Sequence, residues 1–158
     1  MRKLSALLLA LFSLSAFAGN PYPRSPDPTL TPGSLCTTPD RLRYPEQIAY
    51  CERDVNSFTK EVVFSAYREL GFSLSGPRSR YKVDHFIPLC AGGSNEQANL
   101  WPQYDTISKL TDPLEPLACE VLSKGKIGQH EVVELIKAAK LDTKEVPRVM
   151  DLLRKLNR

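Results

Sequence analysis

An aspartate and a histidine stand side by side in an apolar, strand-like run, at Asp84 and His85. A carboxylate offers a hard oxygen ligand to a divalent cation, and an imidazole can accept a proton from water near neutral pH. Gly92 and Gly93 follow and suit a reversal of the chain, because glycine adopts turn conformations that other residues avoid. Asn99 then enters a second apolar run, where it can fix the loop that presents the histidine. This order of residues is typical of a metal-dependent hydrolase.

The stretch VDHFIPLCAGGSNEQANLWPQ, from Val83 to Gln103, resembles the HNH endonuclease superfamily. It is most similar to a secreted bacterial branch with a DH-x-IPL-x-x-GG and NLWPQ core, and a looser likeness extends to residues 43–48 and 114–115. The resemblance implies phosphodiester hydrolysis at a site in which a β-hairpin and the following helix hold one metal ion. It also implies that the strand is strongly twisted where the acid and the histidine meet, so that both serve one phosphate.

The resemblance assigns a role to each polar residue of the motif. His85 would be the general base, Asp84 a metal ligand, and Asn99 the residue that holds the histidine loop. The usual final histidine of the motif, on the helix after the hairpin, is absent from this chain. Related secreted members carry a Lys-Asp-x-x-Glu-like pattern at this point, where this chain has TDPLE. We therefore expect Asp112 to be the second metal ligand, with Glu115 as the next candidate.

The chemistry of these ligands favours a hard ion. Two carboxylates, with no thiolate and no second imidazole, predict Mg²⁺ first and Mn²⁺ as the alternative. Asp105 and Ser108 are further possible donors, although Asp105 stands close to the end of the returning strand. The second histidine of the chain, His130, has no partner pattern and is predicted to lie on the surface. Trp101 could stack on a base, but its apolar neighbours favour a place in the core.

A basic cluster directly precedes the motif, at Arg78, Arg80 and Lys82. Placed Lys and Arg side chains provide the phosphate contacts of nucleic-acid-binding proteins, so these three are the candidate nucleic-acid-binding residues. A solvated loop and edge strand explains the same residues equally well. The chain as a whole is not basic. Without Arg2 and Lys3, which lie in a predicted signal peptide, 19 basic residues stand against 18 acidic ones, a net charge of +1.

The N-terminal residues 1–18 have a basic start, a largely apolar middle and small residues at 16–18, which together predict a cleaved secretory signal peptide. The apolar run is too short for a stable membrane span, and no later segment is expected to be an anchor. Residues 19–45 are rich in proline without periodicity and are interpreted as an extended leader on the surface or partly disordered. Residues 46–158 would form the nuclease domain. The predicted location is the periplasm or the extracellular space.

The chain has four cysteines, Cys36, Cys51, Cys90 and Cys119. They show no C-x-x-C spacing, which argues against a structural zinc site. In an oxidising compartment an even number of cysteines favours disulfides, and four cysteines allow three pairings. We favour Cys36–Cys51, which would tie the proline-rich leader to the body, and Cys90–Cys119, which would tie the hairpin turn to the helix behind it. The sequence leaves the other pairings open.

Apolar periodicity and capping residues predict the elements that position the motif. Pro113 and Pro116 disturb the segment 105–122, so a short turn followed by a helix starting at 112 or 113, capped by Asp112, is expected there. The other predicted elements are a helix at 56–70, strands at 81–89 and 99–102, and helices at 129–141 and 143–156. These elements define an α+β, mostly helical, disulfide-stapled single domain around a ββα-metal core, which we expect to be a monomer.

These observations predict an exported, metal-dependent endonuclease that hydrolyses nucleic acid, DNA rather than RNA. Low sequence specificity is expected because the chain has no helix-turn-helix, zinc finger or other base-reading module. The missing final histidine prompts an alternative, a catalytically inactive nucleic-acid-binding protein on the same scaffold. A third interpretation is a disulfide-stapled structural or inhibitor domain with a coincidental Asp-His pair.

Overall fold

The computed structural model describes residues 21–43, 45–52 and 54–158, so the predicted signal peptide lies outside the described residues. The described chain is α+β, as predicted, with two small antiparallel sheets and five α-helices. In chain order the elements are β1 (Arg41–Arg43), β2 (Ile48–Tyr50), α1 (Ser57–Glu69), β3 (Tyr81–His85), β4 (Leu100–Tyr104), α2 (Asp105–Thr111), α3 (Leu114–Ser123), α4 (Gln129–Leu141) and α5 (Val146–Leu156).

The motif forms an antiparallel hairpin. Strands β3 and β4 pair in regular register from Tyr81 opposite Tyr104 to His85 opposite Leu100. The first strand is shorter than predicted, because the chain leaves it after His85 and enters a 3₁₀ turn. That turn ends at Gly92, whose φ of 86° lies in the left-handed region that favours glycine. Strand β4 continues to Tyr104, two residues beyond the predicted end. The pairing of β1 with β2 was not predicted.

The helices at 56–70 and 129–141 are confirmed. Asn56 caps α1, because its side-chain oxygen accepts a hydrogen bond of 2.8 Å from the Thr59 amide. Gly71 follows the helix with a φ of 91° and ends it, as the sequence suggested. Helix α4 has the predicted bounds. The segment predicted at 143–156 begins with a 3₁₀ turn and continues as α5.

The prediction for residues 105–122 was wrong in two details. A complete helix, α2, forms before the prolines, where a short turn was expected. The Asp112 amide donates to the Ser108 carbonyl over 2.8 Å, so this residue ends α2 and does not cap α3. Pro113 stands at the start of α3, where a missing N–H costs least. The side chain of Asp112 is consequently available to a partner outside the helix.

Two hydrophobic clusters meet at the hairpin. One is formed mainly by α3, α4 and α5, and it includes Ile87 and Ala91 from the loop that follows β3. The other packs α1 against the two strands and contains Trp101, which is fully buried, as predicted. The disulfides Cys36–Cys51 and Cys90–Cys119 are both present and confirm the favoured pairing. Such bonds persist in oxidising compartments.

The proline-rich leader packs more closely than the sequence indicated. Thr31 is fully buried, and its hydroxyl donates to the Leu100 carbonyl over 2.9 Å and bonds the Tyr67 hydroxyl over 2.8 Å. The ring of Tyr22 stacks on Tyr104 with centroids 4.1 Å apart. These anchors attach the described part of the leader to the hairpin and α1, although its own sequence has no periodicity. No helix of the described residues has the length and apolarity that crossing a bilayer requires.

Candidate functional site at the hairpin

The loop between β3 and β4 is closed around the side chain of Asn99. This residue is fully buried, and its amide oxygen accepts a hydrogen bond of 2.8 Å from the Ile87 amide. Its amide nitrogen donates to the carbonyls of Ile87 and Ser94, each over 2.9 Å. Because these bonds satisfy buried backbone groups on both sides of the turn, Asn99 fixes the loop that follows His85.

The second glycine of the motif makes this closure possible. A Cβ atom at Gly93 would lie 1.8 Å from the Ile87 carbonyl oxygen and 2.8 Å from the Asn99 amide nitrogen. No side chain can occupy that space, so only glycine lets the two sides of the loop approach. The glycine at position 93 therefore has a steric cause.

His85 is half-buried at the end of β3 and is held by Asn95. The Nε2 atom lies 2.7 Å from the Asn95 side-chain oxygen, and the Asn95 amide nitrogen donates to the Cys51 carbonyl over 3.4 Å. Because an amide oxygen only accepts hydrogen bonds, Nε2 carries the hydrogen in this arrangement, and Nδ1 of the neutral ring keeps the lone pair.

Asp84 is buried, with 5% of its surface exposed, and cations bind both of its carboxylate oxygens. Oδ2 accepts from the Lys140 ammonium over 2.7 Å and from the Trp101 indole N–H over 3.2 Å. Oδ1 lies 2.9 Å from the Lys82 ammonium. Burial by itself raises the pKa of this carboxyl, but the attraction of Lys140 and Lys82 outweighs it, so the pKa is lowered and the group is ionised.

Lys140 was not among the predicted site residues. It is 1% exposed at the end of α4, and its ammonium also donates to Glu115 over 2.7 Å and to the His85 carbonyl over 2.6 Å. A signal for it was present in the sequence. Val132 and Ile136 occupy the buried stripe of α4, and Lys140 follows at the next helical interval, so the spacing places it on the buried face, where its charge needs a partner or a route to solvent.

The two adjacent residues of the motif contact different groups. Successive side chains of a strand point to opposite faces, and β3 pairs regularly with β4 through both residues. Asp84 contacts the two lysines and Trp101, whereas the His85 ring contacts Asn95. The regular pairing fits the ordinary alternation of a strand at this point, and the strong twist that the resemblance implies stays a prediction.

Asp112 does lie beside Asp84, as the prediction of a shared ligand site requires. The Lys82 ammonium connects them, because it lies 2.6 Å from an oxygen of Asp112 and 2.9 Å from Oδ1 of Asp84. Glu115, the second candidate, is connected to Asp84 through Lys140 in the same way. Two lysines thus link the three carboxylates, Asp112 to Asp84 through Lys82 and Asp84 to Glu115 through Lys140. Ser108 instead bonds within its own helix, to the Asp105 carbonyl.

These donors do not fit a divalent ion as they are arranged. Both oxygens of Asp84 and one of Asp112 already bind ammonium groups, and an added ion would face two positive charges. Within residues 21–43, 45–52 and 54–158, no three His, Cys, Asp or Glu side chains converge as a group able to hold a metal. The expected Mg²⁺ therefore stays a prediction that no arrangement of these side chains supports.

The three basic residues before the motif are engaged within the protein. Arg80 forms two hydrogen bonds, of 2.9 and 3.0 Å, with the carboxylate of Asp105. The Arg78 guanidinium lies 3.7 Å from the centre of the Phe64 ring and donates to a backbone carbonyl. Lys82 bridges two aspartates. A phosphate would have to compete with these partners.

His130 is exposed at the start of α4, as predicted. Comparison of the chain with models of known families, with curated proteins and with solved structures finds no match. The likeness to HNH endonucleases consequently depends on the residues of the hairpin alone, and the reaction it implies is a proposal.

Proposed function

We propose that the protein is an exported phosphodiester hydrolase of the HNH type that cleaves nucleic acid, DNA in preference to RNA, with low sequence specificity. One observation carries the proposal. The hydrogen bond between His85 Nε2 and the Asn95 oxygen selects the tautomer whose Nδ1 can act as a base. The disulfides and the pattern of residues 1–18 support export.

In this proposal Nδ1 of His85 takes a proton from the attacking water as the water oxygen bonds to phosphorus. The bond from phosphorus to the leaving oxygen breaks, and the leaving oxygen takes a proton from solvent. The Asn95 oxygen then accepts a stronger hydrogen bond from Nε2, since the ring becomes an imidazolium when it takes up the proton. Asn99 supports the step indirectly by holding the loop from Ile87 to Ser94 in one conformation. A base fixed by a neighbouring side chain in this way is the arrangement that proton transfer in hydrolysis requires.

A second function is favoured by a different observation. The lysines at Asp84 neutralise the acid to which the resemblance assigns a metal ion. A chain with this charge arrangement could keep the hairpin scaffold and bind nucleic acid without cleaving it. The chain would then be a nucleic-acid-binding protein, and His85 would be a structural residue of the loop.

The test is cleavage of supercoiled plasmid by the oxidised protein, in parallel with Mg²⁺ and with a chelator. We expect His85→Ala to lower the rate of nicking by about 10²–10⁴-fold, which is the usual loss when a general base is removed. His130→Ala is the matched control, because this histidine is exposed and should leave the rate unchanged. Both variants should keep the wild-type circular dichroism spectrum.

The outcomes separate the two functions. Nicking that survives in His85→Ala at the wild-type rate would exclude the general-base role. No nicking by the wild-type protein under either condition, together with retention of plasmid DNA in a gel-shift assay, would favour the nucleic-acid-binding protein. If the wild-type protein neither nicks nor retains plasmid DNA, both proposals lose their support.

A further inference from the structure

Every N–H donor of the buried Lys140 ammonium has a hydrogen-bond acceptor, as a cation held inside a protein requires. Its three N–H donors have three acceptors, Asp84 Oδ2 at 2.7 Å, Glu115 Oε1 at 2.7 Å and the His85 carbonyl at 2.6 Å. A lysine that is 1% exposed is retained in a protein interior only when it is paired and hydrogen-bonded in this way. The side chain therefore sits in a pocket built for a positive charge.

The acceptors around Lys140 are the kind that hard metal ions use. Carboxylate and backbone carbonyl oxygens are the usual ligands of Ca²⁺ and Mg²⁺ in proteins. The distances, however, suit an ammonium. Mg²⁺ binds oxygen at about 2.0–2.1 Å, so an ion in place of the ammonium would require all three oxygens to move inward.

We infer that Lys140 is the resident cation of this site, and that its ammonium takes the place in which the hairpin would otherwise hold a divalent ion. Asp84 and Glu115 then keep their negative charges without a metal. The ammonium also binds the carbonyl of His85, so Lys140 links α4 to the residue that presents the imidazole. This inference concerns the charge balance at Asp84, and it holds whether or not the protein cleaves nucleic acid.

The experiment uses Mn²⁺ as the probe and electron paramagnetic resonance to measure the free ion. The wild-type oxidised protein should leave the free Mn²⁺ signal unchanged. Lys140→Met removes the charge and keeps a side chain of similar length, so the three oxygens should take up one ion per chain, at least about tenfold more tightly than in wild type. Lys126→Met, at an exposed lysine, is the matched control and should show no gain.

Either of two results would overturn the inference. One is saturable uptake of one Mn²⁺ by the wild type that Asp84→Asn abolishes, because the ion would then share the site with Lys140. The other is a Lys140→Met protein with a native circular dichroism spectrum that binds Mn²⁺ no better than wild type.

A measurement on the wild type covers the case in which Lys140→Met does not fold. Because its three donors are buried and bonded, the Lys140 ammonium should exchange its protons slowly and give a resolved nitrogen-15 NMR signal. We expect this signal to persist unchanged when Mg²⁺ is added. Its loss on addition of Mg²⁺, with the remaining spectrum intact, would show displacement by the ion and overturn the inference.

Discussion

Replacement of Asn99 by alanine removes the side chain that closes the hairpin loop. Three buried backbone groups lose their hydrogen-bond partner, the Ile87 amide, the Ile87 carbonyl and the Ser94 carbonyl. Leaving one buried polar group without a partner costs about 1–3 kcal/mol. The sum of these costs over the three groups is an upper limit, because water can enter the space that the amide leaves. We therefore expect a loss of about 3–5 kcal/mol in the free energy of unfolding.

The assay is equilibrium unfolding in urea of the oxidised protein. With a slope of about 2 kcal/mol per molar, the middle of the usual range for a small protein, the expected loss moves the midpoint by roughly 1.5–2.5 M. Asn56→Ala is the matched control, because it removes one exposed asparagine with one hydrogen bond, at the start of α1. Loss of a helix cap of this kind costs about 1 kcal/mol. Asn99→Asp should also destabilise, because a carboxylate would face the two carbonyl oxygens.

Equal midpoints for Asn99→Ala and Asn56→Ala would refute the reasoning. The loop would then be held by other contacts, and Asn99 would not be the residue that positions the histidine. A change in the slope without a shift in midpoint would point to an altered unfolded state, and it would not count as support.

Two further predictions follow from the same site. Gly93→Ala should destabilise the protein by roughly 3 kcal/mol or more, because its Cβ would meet the Ile87 carbonyl. Gly71→Ala is the control: open space surrounds this glycine, so the variant should cost only the roughly 1–2 kcal/mol of a left-handed backbone. Equal urea midpoints for the two variants would contradict this prediction. Burial raises the pKa of Asp84, but two lysines outweigh it, so the pKa in the folded protein lies below the ordinary value of 3.8. The ionised carboxylate therefore contributes stability above pH 3.8, and this contribution is lost as the pH falls through the pKa of the folded protein. Urea midpoints should therefore fall more steeply below pH 4 in wild type than in Asp84→Asn, and parallel acid profiles would disprove the contribution.

The sequence predicted those features that depend on neighbouring residues. Helix α4 has the predicted bounds because its apolar residues recur at helical spacing, and α1 begins after Asn56 because an asparagine can accept from the first turn. The favoured disulfide pairing is confirmed, although the sequence by itself left the other pairings open. The roles assigned to His85 and Asp112 stay predictions, although the structure gives each a defined partner.

The pairing of Asp84 with Lys140 was decided by tertiary structure alone. Lys140 is 56 residues away from Asp84 in the chain, and Glu115, the other acid that Lys140 binds, is 31 residues away, so no local pattern connects them to the strand. The periodicity of α4 placed Lys140 on the buried face, but it did not indicate which acid would bind it. Packing of α4 and α3 around the hairpin made that choice, because a buried charge is stable only where the fold brings an opposite charge to it.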